Sequence, residues 1–385
     1  MKRRHFLRSA LKASTLWGGV GLLTACTPTE VRRSVSAGRS LYRGNVPSAV
    51  MSQLPATGLP EVDRLLRRQV SLLVKRLAKQ WGDKKVASPK EYVKYLDQYQ
   101  TRAIINFETG KIRVETLEKS NPKQALQKAI ITTLLTPEDP QKVDLLSDKA
   151  VALKGQPFLY PLVKDQYHKP IRTQWRANQY AKYLLKKAYH HDIYHGKRRY
   201  FVTFAMEKHY QDDQAHRYAG TVKYNAKRFK LDQALIFAII KTESSFNPYA
   251  MSPIPAFGLM QIVPRSAGRD AHRFLFKKDG IPSKNYLFQA HKNIEMGSAY
   301  LYLLHYRYLV KIKHPKSREY CAIAAYNTGT GNVFKAFASS RSSAIARINR
   351  MSPSQVYTHL THHLKYAEAR RYVQKVTRNK RAFQT

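Results

Sequence analysis

The sequence predicts an α+β fold in two folded parts, a small α+β domain at residues 61–206 followed by a mainly α-helical domain at residues 207–385. Three observations carry this. Residues Lys111 to Leu117 alternate in type, with Ile112, Val114 and Thr116 on one face and Arg113 and Glu115 on the other, the period of a strand. From about residue 207 apolar residues recur at helical spacing almost throughout. At 385 residues and 43% hydrophobic content, the chain can fill two cores and is not wholly disordered.

The N-terminus comes first. Lys2, Arg3 and Arg4 precede an apolar stretch that runs to Leu23 and is interrupted by Lys12. A basic start, a short apolar run and small residues before a cut describe an export signal, here residues 1–25, and the run is too short for a comfortable membrane span. Leu23-Thr24-Ala25-Cys26 resembles a bacterial lipobox. That likeness implies that Cys26 is diacylated on sulfur and becomes the new N-terminus. Arg3-Arg4-His5-Phe6-Leu7-Arg8 resembles a twin-arginine export motif, although a basic start supplies paired arginines on its own. Thr27, not Asp, follows Cys26, which in the enteric sorting pattern implies an outer-membrane address on the periplasmic face. Residues 26–60 are rich in Pro, Gly, Ser and Thr and read as a tether.

Val62 to Trp81 has Leu65, Val70, Leu73 and Leu77 at helical spacing. Ala103 to Phe107 and Lys111 to Leu117 flank Gly110 and form a hairpin. Lys123 to Leu135 is helical and stops before Pro137. Phe158 to Val163 and Tyr200 to Met206 read as strands, with a helix from about Arg176 to Tyr189 between them. Nothing in this domain forms a catalytic constellation, and its Lys and Arg residues suit a binding module or a solvated surface. Beyond it, His209–Phe229, Leu231–Thr242, Asn293–Val310, Arg318–Ala325 and Ala367–Arg378 read as helices. Tyr300, Tyr302, Tyr306 and Tyr308 share one of these helices and read as packing residues. Cys321 sits in an apolar run and reads as a buried small hydrophobe. His190-His191 and His362-His363 lack the i,i+4 pattern of zinc-binding helices, so neither a metal site nor a cofactor is expected.

The chain carries 68 Lys and Arg against 25 Asp and Glu, a formal charge of +43. Such a charge needs a polyanionic partner. Export removes nucleic acid from the candidates. Loss of residues 1–25 takes five cations and no acid, leaving +38 to face envelope polymers or anionic lipid.

Chemistry points to Glu243. It ends the apolar run Leu231 to Ile240, which must be a buried helix, so desolvation raises its pKa toward that of a neutral acid near pH 7. A lone Glu at a helix end is weak support. Ser252 follows nine residues later, and Gly258-Leu259-Met260-Gln261 brings Gln261 eighteen residues after the Glu. Ala325-Tyr326-Asn327-Thr328-Gly329 and Glu368-Ala369-Arg370-Arg371-Tyr372-Val373 complete the order. Together these residues resemble the soluble-lytic-transglycosylase catalytic domain, related to goose-type lysozymes, over about residues 207–385. The lipobox and the α+β domain extend the likeness to membrane-bound members of that family.

The resemblance implies cleavage of the β-1,4 bond between N-acetylmuramic acid and N-acetylglucosamine in peptidoglycan, leaving 1,6-anhydromuramoyl ends. It implies that Glu243 is first acid and then base, helped by the substrate's N-acetyl group in place of a second carboxylate. The next acids after Glu243 are Asp270 and Asp279. It implies that Ser252, Met260, Gln261, Tyr326 and Asn327 contact substrate. Tyr372 orients Glu243, with Tyr366 as the weaker rival. Pro255 departs from the glycine common before Ala256, and Phe257 adds bulk before Gly258, so the loop differs in shape. A hydrolytic muramidase on the same scaffold, or a non-catalytic peptidoglycan-binding adaptor, are the alternative readings.

Overall fold

The computed structural model describes residues 60–252 and 256–384, with side chains from residue 71 onward. The export signal, Cys26, Thr27, the tether up to residue 59 and Pro255 lie outside the described residues.

Helix α1 spans Pro60–Trp81 and presents Leu73, Val74, Leu77 and Trp81 to one side. Five strands follow: β1 (Glu91–Leu96), β2 (Thr101–Asn106), β3 (Lys111–Thr116), β4 (Tyr189–Tyr194) and β5 (Lys197–Ala205). They form one antiparallel sheet in the order β1-β2-β3-β5-β4. The β2–β3 hairpin turns at Gly110, whose φ of +71° is the conformation glycine adopts without strain. Both faces of the sheet are covered. On β1, Tyr92 and Leu96 face the core under α2 (Pro122–Leu135) and α3 (Gln174–Lys187). Val93 and Tyr95 face α1. Alternation therefore sorts residues between two cores instead of between core and water.

The polar face of β3 lies on the α1 side and is buried there. Glu115, 1% exposed, is paired with Arg102 at 2.6 Å, Arg113 at 2.6 Å and Arg199 at 3.2 Å. The Arg102 guanidinium lies 3.9 Å from the centre of the Trp81 ring and also pairs with Asp83 at 2.7 Å. Removing one partner from such a network strands a buried charge and costs about 3–5 kcal/mol.

Phe158–Val163 is not a strand. It runs through turns between Pro157 and Pro161, which cannot donate to a ladder, although Phe158, Leu159, Leu162 and Val163 are buried in the α2/α3 core. The helix expected to reach Tyr189 stops at Lys187, and Tyr189 instead opens β4.

The rest is helical. α4 (Tyr210–Phe229), α5 (Gln233–Ser244), α6 (Arg269–Phe276), α7 (Lys284–Leu287) and α8 (Ala290–Leu303) are followed by a wider turn at Leu304–Tyr308. Next come α9 (Pro315–Thr328), α10 (Thr330–Phe337), α11 (Arg341–Arg350), α12 (Pro353–His363) and α13 (Ala367–Ala382). α5 is apolar nearly all round and is buried beside α4 and α13, as such a helix must be. Cys321 is wholly buried in this core. Tyr302 packs on Phe229, Phe274 and Tyr306.

The two parts interlock through the segment after α5. Tyr249 is 1% exposed and belongs to the core of the sheet region, edge-on to Tyr92 and Phe158, with its hydroxyl donating to the Pro137 carbonyl. Asn247 Nδ2 donates to the Pro89 carbonyl at 3.0 Å.

Candidate active site

α5 begins on Asp232, whose side chain accepts the Ala234 N–H at 2.8 Å. It ends where Ser245 and Phe246 adopt φ of +49° and +63°, a left-handed turn that reverses the chain and buries Phe246. Ser244 Oγ lies 3.0 Å from the Ile240 carbonyl and 2.8 Å from that of Leu259, fixing the helix end to the following loop. Glu243 is thus held on the last turn, half-buried.

Desolvation by the surrounding core raises the Glu243 pKa to about 7. The Tyr372 hydroxyl donates to Glu243 Oε1 at 2.7 Å and pulls the other way. Glu368 pushes the pKa up and Lys90 pulls it down. Burial, with Glu243 alongside, holds the Tyr372 phenol well above its ordinary range, so Tyr372 stays a proton donor in the hydrogen bond.

The loop 256–262 is a tight structure of its own. Phe257 and Ile262 exchange backbone hydrogen bonds at 3.1 Å, and the Gly258 N–H donates to the Ala250 carbonyl at 2.9 Å. Gly258 has φ of +74°, and a Cβ there would come within 2.4 Å of Asn293 Nδ2 and the Leu287 carbonyl, so only glycine fits. Asn293 is the loop's buried anchor. Its Nδ2 donates to the Phe257 and Leu287 carbonyls at 2.8 Å each, and its Oδ1 accepts the Met260 N–H at 2.8 Å.

Gln261 is 8% exposed with φ of +48°. Its Nε2 donates to the Ala250 and Gly258 carbonyls at 3.1 and 2.9 Å, while its buried Oε1 has no partner in the protein. The amide expected to contact substrate is therefore partly used to hold the loop, with its oxygen buried and unpartnered. Met260 corrects the expectation of a cleft residue. Its side chain is 0% exposed and packs against Gly297, where a Cβ would fall 2.3 Å from the Met260 sulfur. Its apolar side chain follows the core, and only its carbonyl serves the site, accepting the Tyr326 hydroxyl at 2.9 Å.

Tyr326 is half-buried, and burial together with Glu243 nearby pushes its phenol well up. Its ring packs 5.6 Å from that of Tyr300. Asn327 is exposed on the last turn of α9. Ser252 is half-buried, and its N–H donates to the Ala256 carbonyl at 3.0 Å across the short undescribed stretch. Tyr366 is the residue that precedes α13 and packs against the core, whereas Tyr372 makes the bond to Glu243.

Lys90, Asn293 and the electrostatic role of Glu368 were not legible from sequence. Glu368 stands inside a recognised motif, but Lys90 and Asn293 are far from Glu243 in the chain and carry no local signal. Among the described residues no group of His, Cys, Asp and Glu is arranged to hold a metal ion, and no helix is long and apolar enough to cross a membrane.

Residues 61–217 match the family model for the N-terminal domain of membrane-bound lytic murein transglycosylase C, and residues 220–349 match that of the transglycosylase SLT domain. Membrane-bound lytic murein transglycosylase C of Salmonella arizonae is 46% identical over 306 residues, covering 79% of this chain and 85% of that protein. The Cronobacter sakazakii protein of the same name is 45% identical over 306 residues, covering 77% and 83%. Among solved structures, a lytic transglycosylase from Pseudomonas aeruginosa is 29% identical, covers 43% of this chain and 23% of that one, and has a TM-score of 0.34.

Proposed function

The chain belongs to the membrane-bound lytic murein transglycosylase C family, and from that premise we propose how this peptidoglycan lytic transglycosylase works. Glu243, whose pKa is raised to about 7, donates its proton to the glycosidic oxygen between N-acetylmuramic acid and N-acetylglucosamine. The C1–O bond breaks, its electron pair goes to the leaving oxygen, and the substrate's N-acetyl carbonyl stabilises C1. The Glu243 carboxylate then takes the proton of the C6 hydroxyl as O6 bonds to C1, closing the 1,6-anhydro ring and returning Glu243 to its neutral form. Tyr372 occupies Oε1, leaving Oε2 to carry the proton to and from substrate. Gln261 borders the cleft while bracing the loop through Nε2, and Tyr326, Asn327 and Ser252 border the N-acetyl pocket.

One observation carries this reading: a carboxyl at the end of a buried helix, with a pKa of about 7, oriented by a single tyrosine hydrogen bond. Such a group can give and retake a proton in one cycle. The test is Glu243→Gln on murein sacculi, which abolishes lysis while sedimentation still shows binding. Lysis at the wild-type rate refutes the assignment.

Residues 61–206 act as an accessory domain and 207–385 as the catalytic domain, a division supported by the sheet-centred and helical cores. The protein is membrane-associated, and the Cys26 motif supports a lipid anchor on the periplasmic face of the outer membrane. Palmitate labelling that disappears in Cys26→Ala tests this, and labelling that persists overturns it.

A further inference from the structure

Lys380 lies on α13, eight residues beyond Tyr372. It is 6% exposed, and its ammonium pairs with Asp232 Oδ2 at 2.7 Å and Glu319 Oε2 at 2.8 Å. Asp232 is the residue that caps α5, the helix that ends with Glu243. Glu319 is on α9, the helix whose last turn carries Tyr326 and Asn327. One ammonium therefore joins three helices, and the same three helices carry Glu243, Tyr326 and Tyr372. At 1.5 Å per residue the spans are roughly 16 Å along α5, 10 Å along α9 and 12 Å along α13. Asn379 Nδ2, next to Lys380, donates to Thr242 Oγ1 at 2.9 Å and links α13 to α5 one residue from Glu243.

We propose that Lys380 is a positioning residue for catalysis: its paired contacts with Asp232 and Glu319 set the relative placement of α5, α9 and α13, and so the Tyr372–Glu243 hydrogen bond. This rests on the function proposed above. Lys380 is buried but Asp232 is 37% exposed, so the triad contributes little net stability, while its two short contacts fix the direction in which α13 meets α5 and α9. Catalytic geometry is sensitive to displacements that stability hardly registers, since about 1 Å can cost a factor of about a hundred.

The groups facing Lys380 are Asp232, Glu319, Lys316 (2.9 Å from Glu319), Gln384 (3.4 Å from Asp232) and His305. Those bearing on Glu243 are Tyr372, Glu368 and Lys90. A loosened Tyr372 bond stops lowering the Glu243 pKa, so the alkaline limb of the pH–rate profile moves to higher pH.

Asp232→Asn is the gentlest probe, because Asn caps a helix as well as Asp does but turns an amide NH₂ toward the ammonium. Wild type, Asp232→Asn, Lys380→Met and Lys380→Arg are compared on soluble peptidoglycan fragments from pH 5 to 9, with circular dichroism to follow folding. The expected result is a folded Asp232→Asn enzyme with kcat down about tenfold, KM within about twofold, and an alkaline limb moved upward. Lys380→Met, where folded, shows a larger loss, and Lys380→Arg, which still reaches both carboxylates, recovers most of it. Wild-type kcat and an unmoved limb in folded Asp232→Asn overturn the inference, whatever Lys380→Met does. Wild-type enzyme that makes no anhydro ends overturns the functional reading, and the inference with it.

Discussion

Replacing Glu243 with Gln should stabilise the protein, and only at high pH. Gln keeps the size of the side chain and still accepts the Tyr372 hydroxyl at Oε1, but cannot ionise. In the wild type the Glu243 pKa rises from 4.5 to about 7 because burial disfavours the charge. The folded state thus holds this proton to higher pH than the unfolded chain does. Stability from Glu243 is complete below about pH 4.5 and is lost as the pH rises through about 7. A gap of about 2.5 pH units at about 1.4 kcal/mol each gives roughly 3 kcal/mol. Because Glu243 keeps part of its surface in solvent, about 2 kcal/mol is the working figure. For a chain of this size that is a rise in Tm of about 2.5 °C at pH 9 for the Gln variant over wild type, shrinking to near zero at pH 4. Paired thermal melts followed by circular dichroism at pH 4, 6 and 9 measure it. A Tm difference that stays the same at all three values refutes the reasoning, since it means that Glu243 does not retain its proton on folding.

Tyr372→Phe removes the bond that lowers the Glu243 pKa, so the alkaline limb of kcat/KM moves up by about one unit while kcat falls roughly tenfold. A pH–rate profile that does not move contradicts the assigned contact. Tyr249→Ala empties a buried site between Tyr92 and Phe158 and lowers stability in urea by about 3–5 kcal/mol, whereas Tyr249→Phe loses only about 1 kcal/mol with its hydrogen bond. Lysis of sacculi slows as salt rises from low to physiological strength, because a chain that keeps +38 after loss of residues 1–25 meets an anionic polymer through charges screened beyond about 8–10 Å. Lysis indifferent to salt means the charge serves something else.

Glu243 was legible as a candidate acid because a weak local signal stands at the head of an ordered set of motifs that carries the family resemblance. An apolar run forces a buried helix, and a Glu on its last turn must lose solvent. Tyr372 was preferred to Tyr366 through the family resemblance, and the hydrogen bond agrees. Met260 was misjudged because it adjoins Gln261 in the sequence, although adjacent residues in a loop point to different places and an unbranched apolar side chain goes to the core. Phe158–Val163 is a short apolar run whose burial was legible and whose backbone was not, since turns between prolines and strands share that composition. Lys90, Asn293 and the Lys380 triad depend on residues brought together from distant parts of the chain, and no periodicity announces such pairings.

The central claim is that Glu243 works without a second carboxylate and returns its proton by activating the substrate's own C6 hydroxyl. The most direct measurement is the mass of soluble products from purified peptidoglycan, with wild type and Glu243→Gln side by side. The account predicts wild-type products lighter by one water than the reducing-end fragments a hydrolase makes, and no products from the variant. Predominantly reducing ends from the wild type, or anhydro ends from the variant, contradict it.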